Sequence, residues 1–170
     1  MNKNLKTADE ILRRYQRDDK DFRNVTIEAD DLSKRRLAGI GFEGAILVDC
    51  NFEKSILTRA NFSAANLRGA NFKGADLSKA NLKGADLRGA IMRGVNLSGA
   101  DLRWANLEGV NLAGSKIAGA NFDGANLKNA NLKGTDPGKL WWKAKLEDAK
   151  LDGTVLPDGT IFGQVARSES

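Results

Sequence analysis

The sequence predicts an all-β solenoid: short strands wound into a four-sided coil, with a capping helix at the N-terminal end. The first observation is a period of five, because every fifth residue from Phe22 to Leu132 is apolar, 23 times in succession. A helix repeats about every 3.6 residues and a strand about every 2, so neither produces this series. We call these residues the large positions. The other two observations are a column of small residues with the same period and the distribution of the phenylalanines.

The small positions lie two residues before the large ones and hold mostly alanine from Ala45 to Ala130. Alternation at two places both side chains on one face of a short extended segment. The next small position follows three residues after the large one, so the chain has to bend once in each repeat to keep it inside. Glycine is frequent at this corner position, two residues after the large position, and favours tight turns. Asn or Asp usually precedes the large position, where its side chain can bond to the backbone.

The phenylalanines indicate how many corners complete one coil. With four corners, residues 20 apart stack, and the large positions divide among four faces. Face 1 contains Phe22, Phe42, Phe62, Leu82, Leu102 and Phe122; face 2 contains Ile27, Leu47, Leu67, Leu87, Leu107 and Leu127; face 3 contains Leu32, Phe52, Phe72, Met92, Leu112 and Leu132; face 4 contains Leu37, Leu57, Leu77, Leu97 and Ile117. Every phenylalanine of the series falls on faces 1 and 3, which oppose each other. A coil of 15 or 25 residues would scatter them, so the sequence favours four sides.

Individual repeats resemble those of a known family. Residues 60–64 (ANFSA) and 75–79 (ADLSK) are similar to the A(D/N)LXX motif of pentapeptide-repeat proteins. The resemblance is strong over about residues 20–135 and weaker over 144–161. It implies a right-handed quadrilateral β-helix with four pentapeptides per coil, and the general right-handed bias of parallel β crossovers agrees.

The first twenty residues predict a helical cap. Thr7 and Glu10 have the spacing of a capping box, in which each side chain bonds to a backbone N–H group at the helix start. Ala8, Ile11 and Tyr15 then share one helical face with Leu12. We expect this face to cover the first coil; a partner-binding or membrane helix is the less favoured alternative.

The repeat is interrupted near its C-terminal end, where Pro137 occupies a large position. The series resumes one residue early at Leu146, Leu151, Leu156 and Ile161. Trp142 could fill a face 1 position under Phe122, or Trp141 and Trp142 could project on a loop, and both interpretations stay open. The predicted segments are a capping helix over 1–20, the β-helix over 21–135, an irregular segment over 136–143, a final coil over 144–163 and a disordered tail over 164–170.

Composition argues against several classes of function. The chain has no histidine, the residue most used for proton transfer near neutral pH and for metal ligation. Cys50 is the only cysteine, so no intramolecular disulfide forms, and its small position predicts a buried, unreactive thiol. We find no signal peptide and no apolar run of about 18 residues, the length of a membrane span. We expect a cytoplasmic monomer without membrane contact.

The sequence predicts no catalytic, cofactor-binding or metal site, and hence no enzyme. Catalysis requires a pocket with convergent titratable groups, which a coil packed with Leu and Ala does not offer. The glycines follow the five-residue period, and no G-x-x-x-x-G-K-[ST] phosphate loop occurs. The favoured function is therefore a structural or protein-interaction scaffold with no cofactor and a protein as partner.

One surface feature suggests an alternative function. Basic residues follow the large positions on faces 1–3 of the middle coils, and we call them, with one adjacent tryptophan, the basic belt: Arg68, Lys73, Lys83, Arg88, Arg93, Arg103 and Trp104. Face 4 carries Ala38, Thr58, Ser78, Ser98 and Ala118 at the same place, which predicts a one-sided charge. The belt either serves solubility, the favoured interpretation, or binds an anionic partner such as nucleic acid or an acidic protein.

A DNA-mimic function is disfavoured. Some members of the pentapeptide-repeat family mimic DNA and occupy type II topoisomerases, and the resemblance raises this function for the present chain. Mimicry requires an acidic surface, whereas residues 22–135 contain 16 Lys and Arg against 11 Asp and Glu. The net charge of the whole chain is +5.

Overall fold

One short helix precedes a coil of parallel β-bridges in the computed structural model, which describes residues 7–136 and 148–163. Helix α1 spans Ala8–Tyr15. The bridges join residues 20 apart, from Asp21 with Gly41 to Lys116 with Asp136. This spacing confirms the predicted four-sided coil, and each side contributes a single bridging residue in place of an extended strand. No helix in the described part of the chain has the length and apolar character needed to cross a bilayer.

The large positions form a continuous core along the coil axis. All 23 of them, from Phe22 to Leu132, are at most 3% exposed. The phenylalanine rings stack along faces 1 and 3, with centroids 5.5 Å apart for Phe42 and Phe62 and 5.0 Å apart for Phe52 and Phe72. Rings on the two faces also meet edge to face, Phe52 and Phe62 at 5.8 Å and 82°. The predicted opposition of faces 1 and 3 is therefore confirmed.

Hydrogen bonding explains why Asn and Asp precede the large positions. In one typical repeat, the N–H groups of Asn71, Phe72 and Gly74 donate to carbonyls of the neighbouring coils at 2.7–3.1 Å. The Ala75 N–H closes the corner by donating to the Phe72 carbonyl at 2.8 Å. The fifth donor, the Lys73 N–H, has no carbonyl partner and donates to Asn71 Oδ1 at 3.0 Å. The Asn side chain thus pairs the last N–H group of its repeat.

The corner residues adopt the left-handed backbone conformation that favours glycine. Gly69 has a φ of 68°, and an added Cβ would overlap the Asp49 side chain one coil earlier. Several corners nevertheless carry larger residues at similar φ, and four of these are cations: Lys34, Lys54, Arg59 and Lys79.

Helix α1 closes the N-terminal end as the sequence predicts. Thr7 is its N-cap, and the Thr7 hydroxyl accepts a hydrogen bond from the Glu10 N–H at 3.4 Å. Ala8 and Ile11 are buried against the first coil. The Ala8 N–H donates to Asp30 Oδ2 at 2.6 Å. Asp30 occupies a small position, and its charged side chain there accepts a hydrogen bond from the start of the helix.

The coil continues after the interruption, and the turn of the coil that contains the interruption is four residues longer than the others. Asn126 pairs with Lys150, 24 residues later, which places Leu151 under Leu127. Asn131 pairs with Val155 in the same register. The early return of the period is therefore confirmed at Leu151. The expectations for Pro137, Trp141, Trp142 and Leu146, and for a disordered tail over 164–170, lie outside the described residues.

The expectation that Ile161 begins a further side of the coil is wrong. Ile161 pairs with Val155 in an antiparallel bridge and is 37% exposed. The chain reverses between them, where Asp158 Oδ1 accepts the Thr160 N–H at 2.9 Å. A local turn with its own hydrogen bond therefore replaces the corner, and the five-residue spacing of Ile161 has no structural consequence.

Candidate binding surface

The six cations of the basic belt all point outward from the coil. They form three pairs of residues one coil apart: Lys83 and Arg103 on face 1, Arg68 and Arg88 on face 2, Lys73 and Arg93 on face 3. Five are exposed and Arg103 is half-buried. The coil spacing of ~4.8 Å brings each pair close, and water and salt screen the repulsion between them.

Two belt arginines are neutralised within their own repeats. Arg88 donates from Nη2 to Asp86 Oδ2 at 2.6 Å and from Nε to Asp86 Oδ1 at 2.9 Å. Arg103 makes the same bidentate pair with Asp101, at 2.6 and 2.9 Å. These side-chain hydrogen bonds lower the pKa of both carboxyl groups and raise the pKa of both guanidinium groups. The sequence analysis did not predict these pairs. The residues directly before and after a large position point outward on the same face, so their side chains can meet.

The other belt cations stay available to a partner. Arg68, Lys73 and Arg93 form no ion pair with any carboxylate in the described residues. They lie on faces 2 and 3, which meet at one corner of the coil. Lys83 on face 1 also forms no ion pair in the described residues and lies against Trp104, so the belt has three unpaired cations on faces 2 and 3 and one on face 1.

Trp104 gives the belt an exposed aromatic surface. It occupies a corner with a φ of 57°, and 59% of the residue is exposed. Lys83 Nζ lies 4.8 Å from the ring centroid and the Arg103 guanidinium carbon 5.8 Å from it. The indole lies over Gly124 in the next coil, where an added Cβ would overlap it.

A second basic surface frames face 4 in the first coils, formed by cations at the corner positions instead of directly after the large positions. The four corner cations flank this face, Lys34 and Lys54 along one edge and Arg59 and Lys79 along the other. A shallow cleft of about 430 Å³ lies along the second edge, lined by Ala38, Gly39, Thr58, Arg59, Ser78 and Lys79. In the sequence, this surface is indicated by cations at corner positions, where glycine is usual.

Comparison with protein families gives the classification. The model for pentapeptide repeats matches in eight copies over residues 36–74, 55–94, 70–109 and 105–136, more than half of the chain. The chain belongs to the pentapeptide-repeat family. Comparison with curated proteins gave no match.

Solved structures of pentapeptide-repeat proteins are similar to this one. Rfr23 from the cyanobacterium Cyanothece 51142 has a TM-score of 0.50 and 25% identity, over 90% of this chain and 97% of Rfr23. HetL, a pentapeptide-repeat protein involved in heterocyst differentiation regulation from Nostoc sp. strain PCC 7120, has a TM-score of 0.29 and 24% identity, over 92% and 100%. QnrB1, a plasmid-mediated fluoroquinolone resistance protein, has a TM-score of 0.46 and 20% identity, over 76% and 83%. The fold is the right-handed quadrilateral β-helix of this family.

The thiol of this pentapeptide-repeat protein is structural. Cys50 is fully buried in a small position, and burial raises its pKa to about 11. Its Sγ donates to the Ile27 carbonyl at 3.4 Å. Ser55 and Ser115 occupy other small positions and donate in the same way, to carbonyls 23 residues earlier at 2.7 and 3.0 Å. Cys50 thus replaces alanine as a small buried group. The described residues contain no cluster of side chains suited to hold a metal ion.

Proposed function

We propose that the protein is a non-catalytic scaffold that binds a partner protein through its outer surface. The observation that carries this proposal is the filled axis of the coil, in which all 23 large positions are at most 3% exposed. Side chains occupy the interior from Phe22 to Leu132, and the face 4 cleft described above is shallow and lies on the surface. The coil can therefore present side chains to a partner at fixed spacing but offers little enclosure to a substrate.

The titratable groups support a non-catalytic function. The pKa values of Asp86 and Asp101 are lowered by their arginine partners, whereas a carboxyl group that acts as an acid near neutral pH needs a raised one. The raised pKa of the Cys50 thiol, about 11, works against the thiolate that nucleophilic catalysis requires. Both kinds of group have the environment of structural residues.

A protein is favoured over nucleic acid as the partner. Two of the six belt cations are already paired with carboxylates, and Glu43 and Glu108 lie on the same faces. A polyanion gains from an uninterrupted positive surface, whereas a protein interface mixes charges of both signs with exposed aromatic groups. Trp104 is such a group.

Site-specific photo-crosslinking tests the scaffold proposal. A photoreactive residue is introduced in turn at Ser63, Arg68, Lys73 and Ser78, one on each face of the same coil. Each variant is irradiated in a lysate of the source organism, with excess unlabelled protein as competitor. We expect one competable protein adduct from one face or two adjoining faces. Equal adducts from all four faces, or none, would contradict a specific protein interface.

A second candidate function is the binding of an anionic partner, because Lys83, Arg103 and Trp104 form an exposed cation–aromatic cluster. A nucleic-acid base could stack on this indole while free cations contact phosphates. The test is a titration of duplex and single-stranded DNA at low salt, comparing the wild type with an Arg68→Ser/Lys73→Ser/Arg93→Ser variant. An Arg88→Ser variant is the control, since Arg88 is already paired with Asp86.

Binding through the belt predicts a log–log salt slope of about −0.9 per neutralised phosphate, reduced in the triple variant but not in the control. Equal binding by the wild type and the triple variant would leave the belt as a solubility surface. The excess of Lys and Arg in residues 22–135 weighs against a DNA-mimic function.

We further propose that the protein acts as a cytoplasmic monomer. A single buried cysteine without a disulfide partner suits a reducing compartment. Helix α1 covers one end of the coil, and end strands left uncovered are where solenoids associate. Sedimentation equilibrium tests the monomer, and localisation of a tagged protein in the source organism tests the compartment.

A further inference from the structure

The cleft on face 4 has an unusual supply of hydrogen-bond donors. Its floor is formed by Ala38, Thr58 and Ser78, and its edge by the cations Arg59 and Lys79. Neither Arg59 nor Lys79 forms an ion pair in the part of the chain that the structure describes. The small floor residues leave space above the face, so a ligand can approach the backbone closely.

The Thr58 N–H group is a backbone donor without an acceptor. In most repeats this N–H bonds to the Asn or Asp side chain two residues earlier, as the Ser78 N–H does to Asp76 Oδ1 at 2.9 Å. Ile56 stands at that place before Thr58 and offers no oxygen. No hydrogen bond of the Thr58 N–H or hydroxyl occurs within residues 7–136 and 148–163. In other repeats the acceptor of this N–H is an outward side chain of the same face, so the unpaired Thr58 N–H lies on the outer side of the face that lines the cleft.

The hydroxyl of Ser78 is also free, in contrast to its equivalent one coil later. Ser98 Oγ donates to Asn96 Oδ1 at 2.7 Å, whereas the Ser78 hydroxyl makes no such bond in the described residues. The nearby Asp76 Oδ1 already accepts from the Ser78 N–H and from Asn96 Nδ2, at 2.9 and 3.1 Å. The Ala38 N–H has no acceptor in the described residues either, since Arg36 stands two residues before it. The cleft therefore combines two cations, two backbone N–H groups and two hydroxyls.

From this arrangement we propose that the cleft binds a phosphate group. A phosphate monoester carries about −1.5 to −2 charges and three strong acceptor oxygens, which suit two cations and several neutral donors better than a single carboxylate does. Adjacent coils are separated by ~4.8 Å, so Arg59 and Lys79 can contact one anion together. The planar guanidinium can donate two parallel hydrogen bonds to phosphate oxygens, and Thr58 and Ser78 can donate from the floor. The site is separate from the basic belt and does not depend on the proposed scaffold function.

The corner conformation provides well-matched variants for a test. Arg59 and Lys79 have φ values of 57° and 58°, and glycine is the usual residue at such corners. The Arg59→Gly/Lys79→Gly variant therefore removes both cations without strain. Lys34→Gly/Lys54→Gly is the matched control, because it removes two corner cations with φ of 57° and 56° from the opposite edge of face 4.

The measurement is an NMR titration of the ¹⁵N-labelled protein with inorganic phosphate at constant ionic strength, following the Thr58 amide. A short phosphoserine peptide forms a second arm, and acetate is the control anion. We expect a saturable Thr58 shift with a Kd near 1 mM for phosphate, weakened about tenfold or more in Arg59→Gly/Lys79→Gly. The Lys34→Gly/Lys54→Gly control should stay within about twofold of the wild type.

The two arms distinguish the source of the phosphate group. Tighter binding of the phosphoserine peptide than of inorganic phosphate indicates a group carried by a protein, and the reverse order indicates the free ion. The proposal is overturned if Thr58 does not shift, if acetate shifts it as far as phosphate, or if both double variants lose binding equally. The last outcome would indicate a general electrostatic field instead of a site.

Discussion

Phe62 lies at the centre of the aromatic core, and its replacement by leucine tests the packing of opposing faces. Its ring lies 5.5 Å from Phe42, 5.8 Å from Phe52 and 5.9 Å from Phe72. Each such pair contributes about 0.5–1.5 kcal/mol beyond the buried area, although energies of neighbouring pairs do not simply add. Leucine already occupies face 1 at Leu82, so the backbone accepts the change. We expect Phe62→Leu to lower the free energy of unfolding by about 2–4 kcal/mol.

The matched control is Phe122→Leu on the same face. Phe122 is equally buried, but none of the described aromatic rings lies against it. We expect this control to cost only about 1 kcal/mol, the loss from the smaller side chain. Urea unfolding followed by circular dichroism gives both values, provided that the slope of the unfolding free energy against urea concentration is the same in the variants and the wild type. Equal losses for the two variants would refute the claim that rings from faces 1 and 3 stabilise each other.

Three further predictions concern the corners, the ion pairs and the cap. Gly69→Ala should destabilise the protein more than Gly84→Ala in thermal melts; both corners have a φ near 68° (68° and 67°), but only at Gly69 does the new Cβ overlap Asp49. The lowered pKa values of Asp86 and Asp101 stabilise the folded state above the unfolded pKa of about 4, and this contribution is lost as the pH falls through the lowered values. Asp86→Asn/Asp101→Asn should therefore lose less stability than the wild type between about pH 5 and 2 in urea titrations, and a parallel loss would contradict this. Removal of residues 1–18 should expose the first coil and promote end-to-end association in sedimentation, whereas an equally stable monomer would argue against a capping role.

The repetitive part of the fold could be predicted from the sequence because its physical causes repeat. The burial of Phe62, Leu67 and Phe72 in succession imposes a period of five, and the restriction of phenylalanine to opposing faces indicates four corners per coil. The function of Asn71 in pairing a backbone N–H group follows from the same geometry. Each of these features depends on residues a few positions apart or one coil apart.

The features that the sequence did not predict depend on exceptions to the repeat. Ile161 has the right spacing, but a local turn with a hydrogen bond to Asp158 reverses the chain before the next side. The pairing of Arg88 with Asp86 depends on the outward geometry of one face, so a count of charges overestimates the free charge of the belt. Predicting the face 4 cleft would have required knowing where the corner side chains lie relative to the adjoining face. It would also have required recognising that Ile56 offers no acceptor to the Thr58 N–H group.

The central claim is that four corners complete each coil. A coil of this kind has a filled interior, so its function lies on the outer faces. Disulfide formation between engineered cysteines tests the number of corners directly. In a Cys50→Ala background, Asn81→Cys is combined in turn with Asn61→Cys, Asn66→Cys or Asn106→Cys, residues 20, 15 and 25 apart. Asn61 and Asn81 are bridged, and neighbouring strands place their Cα atoms ~4.8 Å apart, within the range of a disulfide. We predict rapid, complete oxidation of the Asn61→Cys/Asn81→Cys pair and none within the monomer for the other two. Faster oxidation of the 15- or 25-residue pair would contradict the four-sided coil.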